Sequence, residues 1–312
     1  MQFQDYAPIA LFAYRRTDHL SRTLDALEAC PEFKQSRLFI FSDGPKSEAA
    51  AADVAAVRRL LRERAGENMT IVEAPQNKGL AASIIGGVTR LCDEYGSVIV
   101  LEDDLLLTPQ GLTWLNASLQ HYVDDPSVFQ ISAYQWWNPL FRNRRHAVFG
   151  RQAVSWGWAT WKRAWDKFDP AVTGWESLQQ DKALRRAFDM DGSYPLSEML
   201  MLQINGKIDS WAIRWAWTVF REGGLVLYPP RSLVSNIGFD ETGTHTSIGR
   251  LKRFAAPPTP LPWKGPGLPE FPEPRLDPVD ERRFHRGLRA SGAYRNRRIV
   301  AVLRWLGLWN KN

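Results

Sequence analysis

The chain has 312 residues, enough for one large α/β domain or a domain with a substantial appendage. Its 44% hydrophobic and 24% charged content, without a biased tract, excludes a disordered or fibrous chain. The net charge of +6 sits in one place: residues 276–312 hold nine Lys or Arg against three Asp or Glu, so the neutral body does not suit nucleic-acid binding.

The amino terminus, MQFQDYAPIALFAYRR, has no basic region before its apolar stretch and no small-residue cleavage site. Cys30 and Cys92 are too few for a disulfide framework. No apolar run reaches the roughly 18 residues of a spanning helix, so a cytoplasmic protein is expected. The short apolar run over 8–14 predicts a buried parallel strand. A helix over 17–29 follows, with Leu20, Leu24 and Leu27 at helical spacing and Thr17 or Asp18 placed to cap it. A second strand over 38–41 ends in Ser42-Asp43-Gly44-Pro45, a turn signal. An Ala-rich helix over 47–64, a strand over 69–73, a helix opening at Asn77-Lys78-Gly79 and running to 95, and a strand over 98–101 complete a βαβα series. That order predicts a mostly parallel, doubly wound sheet flanked by helices.

Ligands of such sheets bind beyond the carboxyl ends of the strands. Those ends carry Tyr14-Arg15-Arg16, Ser42-Asp43-Gly44, Pro75-Gln76-Asn77-Lys78-Gly79 and Glu102-Asp103-Asp104. Three adjacent carboxylates repel one another unless a cation offsets them, and a hard divalent ion prefers oxygen ligands. The dinucleotide fingerprint is missing, because Gly86-Gly87 falls within a helix without the required spacing. Fourteen tryptophans add a sugar-stacking capacity, three of them at Trp156, Trp158 and Trp161.

Residues 114–228 mix helices with that Trp-dense segment, and a strand is expected over 225–228. A Gly/Thr/Ser-rich loop over 235–249 carries Asp240, Glu241 and His245; a Pro-rich stretch over 255–278 runs extended over the surface. From Asn296 onward, Arg297, Arg304 and Lys311 share one helical face, opposite Ile299, Val302, Leu303, Trp305, Leu306 and Trp309. This amphipathic helix fits either peripheral membrane contact or packing of its apolar face on the body.

The chain resembles GT-A glycosyltransferases, and more closely bacterial sugar transferases related to N-acetylglucosaminyltransferase I. The matching residues spread over about 240 positions. They include Ala7-Pro8-Ile9 to Arg16, Ser42-Asp43, Asn77-Lys78-Gly79-Leu80, Val100 to Leu105, Ile131-Ser132-Ala133-Tyr134, Trp156-Gly157-Trp158, Asp209-Ser210-Trp211, and Ser235 to Phe239 ending in Thr244-His245. The resemblance implies a Rossmann-like GT-A domain over 1–254 and a Pro-rich, basic extension over 255–312. It implies that Ala13, Tyr14 and Arg15 hold the nucleotide with Lys78, and that Asp43 contacts the base or ribose. Asp104 would bind Mn²⁺ or Mg²⁺, with Glu102 and Asp103 near the ribose and donor sugar. Trp156, Gly157 and Trp158 would wall the donor and acceptor, and His245 would close over the diphosphate or ligate the metal.

An inverting transfer needs a carboxylate to take the acceptor hydroxyl's proton. The family pattern has two aspartates before the tryptophan; here the second is Ser210. Asp209 is the first candidate, with Glu241 and Asp240 in reserve. The implied partners are a nucleotide-sugar donor, with uridine the family's commonest base, and a glycan or lipid-linked acceptor of a bacterial surface polymer. Two other readings compete: a sugar-phosphate nucleotidylyltransferase, which would want a glycine-rich loop after the first strand, and a non-catalytic carbohydrate-binding module on the same fold.

Overall fold

The computed structural model describes residues 6–136, 144–238 and 267–290. Strand β1 (Ile9–Ala13) is buried at every position, as a strand covered on both faces must be. Helix α1 (Thr17–Glu28), β2 (Leu38–Ser42), α2 (Glu48–Glu63), β3 (Met69–Glu73), α3 (Leu80–Tyr95) and β4 (Ser97–Glu102) follow in the expected alternation. Each helix buries one apolar stripe: Leu20, Leu24 and Leu27 in α1, Val54, Val57 and Leu61 in α2, Ile84, Val88 and Leu91 in α3. Then come β5 (Leu105–Leu107), α4 (Gly111–His121), β6 (Val128–Ser132), β7 (Val148–Gly150), β8 (Trp158–Trp161) and the short helices α5 (Lys162–Trp165) and α6 (Ser177–Gln180). The described chain finishes with α7 (Lys182–Phe188), α8 (Leu196–Ile204), α9 (Trp211–Arg221), β9 (Leu225–Tyr228), β10 (Val234–Asn236) and α10 (Pro278–Ala290).

Eight strands form one sheet in the order β3-β2-β1-β4-β8-β6-β9-β7, and β10 pairs with β5 in a separate ribbon. The strands β3, β2, β1 and β4 are all parallel, and β6 is parallel to β9. Antiparallel β8 joins the two parallel groups, and β7 closes the far edge antiparallel to β9. The expected α/β architecture, Rossmann-like with a mostly parallel sheet flanked by helices, is therefore present. The chain runs outward from β1 through β2 to β3 and returns on the other side as β4. The crevice between the carboxyl ends of β1 and β4 is thus the topological switch point, where open α/β sheets bind ligands.

Register fixes what else reaches that end. Val100 of β4 lies opposite Trp158 of β8, and Ser132 of β6 also lies opposite Trp158. Trp156 and Gly157 before β8, and Ala133 to Trp136 after β6, therefore lie beyond the same rim. Trp211 stacks on Trp158 with ring centroids 5.2 Å apart, which sets the start of α9 at this end. Trp158, Trp165, Trp211 and Trp215 form a buried aromatic cluster at the centre of the sheet. Most of the tryptophan load in this half of the chain is accordingly core.

Strand β8 lies within the segment read only as Trp-dense, and α10 within the basic extension. The signal for α10 was present: Asp277 accepts from the backbone N–H groups of Val279 (2.8 Å) and Asp280 (3.0 Å), with Pro278 at the first helical position. The described part of the Pro-rich stretch does cross the surface without regular structure, but it is anchored. Phe271 stacks on His121 at 4.5 Å, and Tyr122 donates to the Pro272 carbonyl at 2.6 Å. The domain boundary expected at 254 and the amphipathic helix from Asn296 lie outside the described residues. Among the described residues no helix is long and apolar enough to cross a membrane.

Trp158 is fully buried, so Trp158→Ala should lower the unfolding free energy by about 3–5 kcal/mol, read as a shifted urea midpoint.

Candidate active site

Strand β4 runs straight into the carboxylate triplet, and the triplet meets Arg16 from the end of β1. The Arg16 guanidinium donates through Nη2 to both Asp103 and Asp104, the latter at 2.7 Å. Asp103 is 4% exposed and also accepts from the Tyr14 N–H at 3.4 Å; its own carbonyl accepts from Thr23 Oγ1 at 2.9 Å. The Asp104 side chain is 13% exposed and stands at the mouth. Three carboxylates face one guanidinium, so the group is negative in excess even with Glu102 protonated. Burial, then Asp104 and Asp103, push Glu102 up to about 8. Burial also holds Asp103 above the usual carboxylate range despite Arg16. For Arg16, burial works against the charge, but the two aspartates outweigh it and hold the guanidinium above its ordinary value.

Arg16 was not singled out from the sequence, and its position explains why α1 departs from expectation. Arg16 occupies the N-cap of α1, and no side chain caps the helix. Asp18 supplies a negative charge in the first turn instead. A run of two arginines after a buried strand, facing a later carboxylate triplet, was the available clue.

The chain crosses this group again after β10. The Ile237 N–H donates to the Asp104 carbonyl at 2.9 Å, and a ring nitrogen of His19 lies 3.3 Å from the Ile237 carbonyl. A Cβ at Gly238 would fall 2.1 Å from Asp104 Oδ2 and 2.9 Å from Arg16 Nη1, so this close approach requires glycine. Asp240, Glu241 and His245 follow within a few positions and lie outside the described residues.

Asp43 works as a clamp. Its Oδ1 accepts from the N–H groups of Gly44 and Lys78, both at 2.8 Å; its Oδ2 accepts from Asn77 Nδ2 and the Gly79 N–H, both at 3.0 Å. The end of β2 is thereby tied to the loop that opens α3. Tyr14 Oη accepts from the Lys46 N–H at 3.1 Å, and the Ala13 carbonyl accepts from the Asp43 N–H at 3.1 Å. Arg15 and Lys78 extend from this floor as exposed cations.

On the far side of the crevice, half-buried Trp156 meets Tyr134 edge-on at 4.6 Å, and Tyr134 meets Trp136 at 5.4 Å. Gly157 turns the chain with φ of 60°, and its carbonyl accepts from the Ala133 N–H at 2.7 Å. Trp158 lies in the core behind this wall, so Trp156 and Trp136 are the rings with exposed surface. Asp209 is 69% exposed at its side chain and accepts from Arg214 Nη2 at 2.5 Å. Ser210, not Asp209, caps α9, accepting from the Ile213 N–H at 3.4 Å. Arg214, which helical patterning assigns to solvent, is instead held against Asp209 and the Ser210 carbonyl. A cavity of about 410 Å³ between β7, α7 and α10 lies elsewhere, lined by none of these residues.

Among the described residues no three His, Cys, Asp or Glu side chains converge into a metal cage. That suits Mg²⁺ or Mn²⁺ arriving with a diphosphate, since such ions take one or two protein carboxylates and complete their shell with phosphate and water. The negative excess that Arg16 leaves on the triplet, with Asp104 at its mouth, fits a divalent ion, whose arrival would also favour ionisation of Glu102.

No family model matches the chain, and no curated protein matches it significantly. Several solved structures are similar. A mannosyltransferase from Pyrobaculum calidifontis, in complex with GDP-Man and Mn²⁺, is 14% identical over 50% of this chain, with a TM-score of 0.34. The chain spans 44% of that protein's length. A galactosyltransferase in complex with donor and acceptor sugar analogs is 16% identical over 71% of this chain and 73% of its own, with a TM-score of 0.35. A 4-diphosphocytidyl-2C-methyl-D-erythritol synthase from Anaerococcus prevotii is 10% identical over 72% of this chain and 87% of its own, with a TM-score of 0.36. Scores this low and this close do not choose among these activities, so the functional reading rests on the residues.

Removing the Asp43 clamp leaves three backbone N–H groups without their acceptor and takes one of the two acceptors of Asn77 Nδ2, which keeps the Gly44 carbonyl. Asp43→Ala should cost about 3 kcal/mol or more of stability and speed hydrogen exchange at the Lys78 and Gly79 amides.

Proposed function

We propose that this chain is a metal-dependent glycosyltransferase of the GT-A type that moves a sugar from a nucleotide-sugar onto an acceptor hydroxyl with inversion. The observation that carries the reading is the Glu102-Asp103-Asp104 triplet at the topological switch point, negatively charged in excess and overlaid by the Gly238 backbone. In this reading Asp104 holds Mn²⁺ or Mg²⁺. The ion, when bound, offsets the charge of the departing nucleoside diphosphate. The backbone of Ala13 and Tyr14, exposed Arg15 and Lys78, and the loop clamped by Asp43 position the nucleotide. Trp156 offers the sugar an apolar face. Asp209, oriented by Arg214, takes the acceptor proton. Uridine as the base, a glycan or lipid-linked acceptor of a bacterial surface polymer, and peripheral membrane contact through residues 296–312 follow from the resemblance and the basic tail.

The nucleotidylyltransferase reading is weaker, because the segment after β1 is Tyr14-Arg15-Arg16-Thr17, with no glycine-rich loop to grip a triphosphate. One observation favours a non-catalytic module as the second reading: Ser210 replaces the family's second aspartate and serves as a helix cap.

Release of nucleoside diphosphate from a panel of nucleotide-sugars separates these readings. Asp104→Asn should abolish metal-dependent nucleotide binding and turnover together. Asp209→Asn should lower turnover by about 10²-fold or more with nucleotide affinity unchanged. Unchanged turnover in Asp209→Asn would move the base to Glu241 or Asp240, and no turnover by the wild type on any donor would favour the binding module.

A further inference from the structure

The metal-dependent reading leaves one group without a task, the guanidinium that already neutralises the carboxylates. Arg16 spans buried Asp103 and the more open Asp104 through a single nitrogen, Nη2, and its side chain is 19% exposed. A divalent ion joining Asp104 while that guanidinium lies 2.7 Å from Oδ2 would meet a second cation at short range in a poorly solvated crevice, which weakens its binding. Gly238 lies against the same two side chains, so its backbone restricts approach of an ion from that side. Asp103 has a second donor in the Tyr14 N–H, whereas for Asp104 the guanidinium is the one hydrogen-bond donor to its carboxylate among the described residues. The Asp104 contact is therefore the one that can open while Asp103 keeps the arginine in place.

Resting on the transferase reading, we propose that Arg16 is a latch that couples metal binding to nucleotide binding. With the site empty of ligand, Arg16 occupies the position of the cation and holds Asp104. An incoming diphosphate offers the guanidinium a better partner, since its fork pairs readily with phosphate oxygens. Arg16 swings from Asp104 to the diphosphate, and Asp104 is released to the metal. Metal and nucleotide thus each favour the other through one side chain, and by linkage the effect is reciprocal.

The latch predicts opposite changes in two affinities, which mere structural damage would not produce. Mn²⁺ alone is titrated into nucleotide-free protein and followed by electron paramagnetic resonance. Of UDP, GDP, CDP and dTDP, the tightest binder is then titrated without metal by calorimetry. Arg16→Gln should bind Mn²⁺ roughly tenfold more tightly and the diphosphate roughly tenfold more weakly than wild type. Arg16→Lys keeps a charge beside Asp103 but has a shorter side chain and no planar fork, so it should fold even if the glutamine variant does not and shift both affinities the same way by less. Weakening of both ligands, or unchanged Mn²⁺ affinity in a folded variant, overturns the latch while leaving the transferase reading intact. Binding of neither probe, alone or together, by the wild type and the variants removes the transferase reading and the latch with it.

Discussion

Two aspartates and an arginine share one nitrogen at the switch point, and the rest of the site is arranged around that contact. Three consecutive carboxylates after a buried strand would repel one another and resist burial. Arg16 makes the arrangement foldable by neutralising one charge, and its burial beside Asp103 and Asp104 fixes the end of β1 against the end of β4. In the proposed reading the residual charge is the functional property. A fully neutralised triplet would have no use for a metal, and a wholly uncompensated one would not fold around it.

Topology turns that local contact into a cleft. The return of the chain from β3 to β4 leaves a crevice beside β1, and the antiparallel β8 brings Trp156 and Gly157 up to the same rim. The Trp158–Trp211 stack ties the opening of α9 to the sheet, which is why an exposed carboxylate at Asp209 stands at the end of the molecule where the triplet lies. Rigid elements thus carry each polar group, while the residues that cross the cleft come from the Gly238 segment. The close approach of Gly238 to Asp104 shows how tightly that segment is registered on the carboxylates.

The first half of the fold was legible because its signals are local. Apolar runs bounded by turns give β1 to β4, and helical spacing of Leu20, Leu24 and Leu27 gives α1. The polar strand ends followed from the same reading, and with them the triplet. Legibility failed where long-range pairing decides. Trp158 to Trp161 carries no alternation, because β8 is buried on both faces between β4 and β6, so Trp158 reads with Trp156 as a sugar wall although it is core. Asp43 shows at a predicted strand end, but its four donors come from residues one and 34–36 positions away, a clamp that no spacing rule displays. Arg16 is similar, since its partners lie 87 and 88 positions on. The proposed catalytic base sits between the two cases. Asp209 was readable from the family pattern, its pairing with Arg214 was not, and Glu241 and Asp240 lie outside the described residues.

The central claim is that the negative excess at the switch point exists to bind a metal together with a nucleotide. A thermal-shift screen of nucleoside diphosphates and nucleotide-sugars, with and without Mn²⁺, tests it without knowledge of the acceptor, because a ligand bound to the native state raises the melting temperature by mass action. The account predicts stabilisation by one nucleoside diphosphate and its sugar conjugates that is much larger with Mn²⁺ than without. A melting temperature unmoved by every nucleotide, with and without the metal, would contradict it.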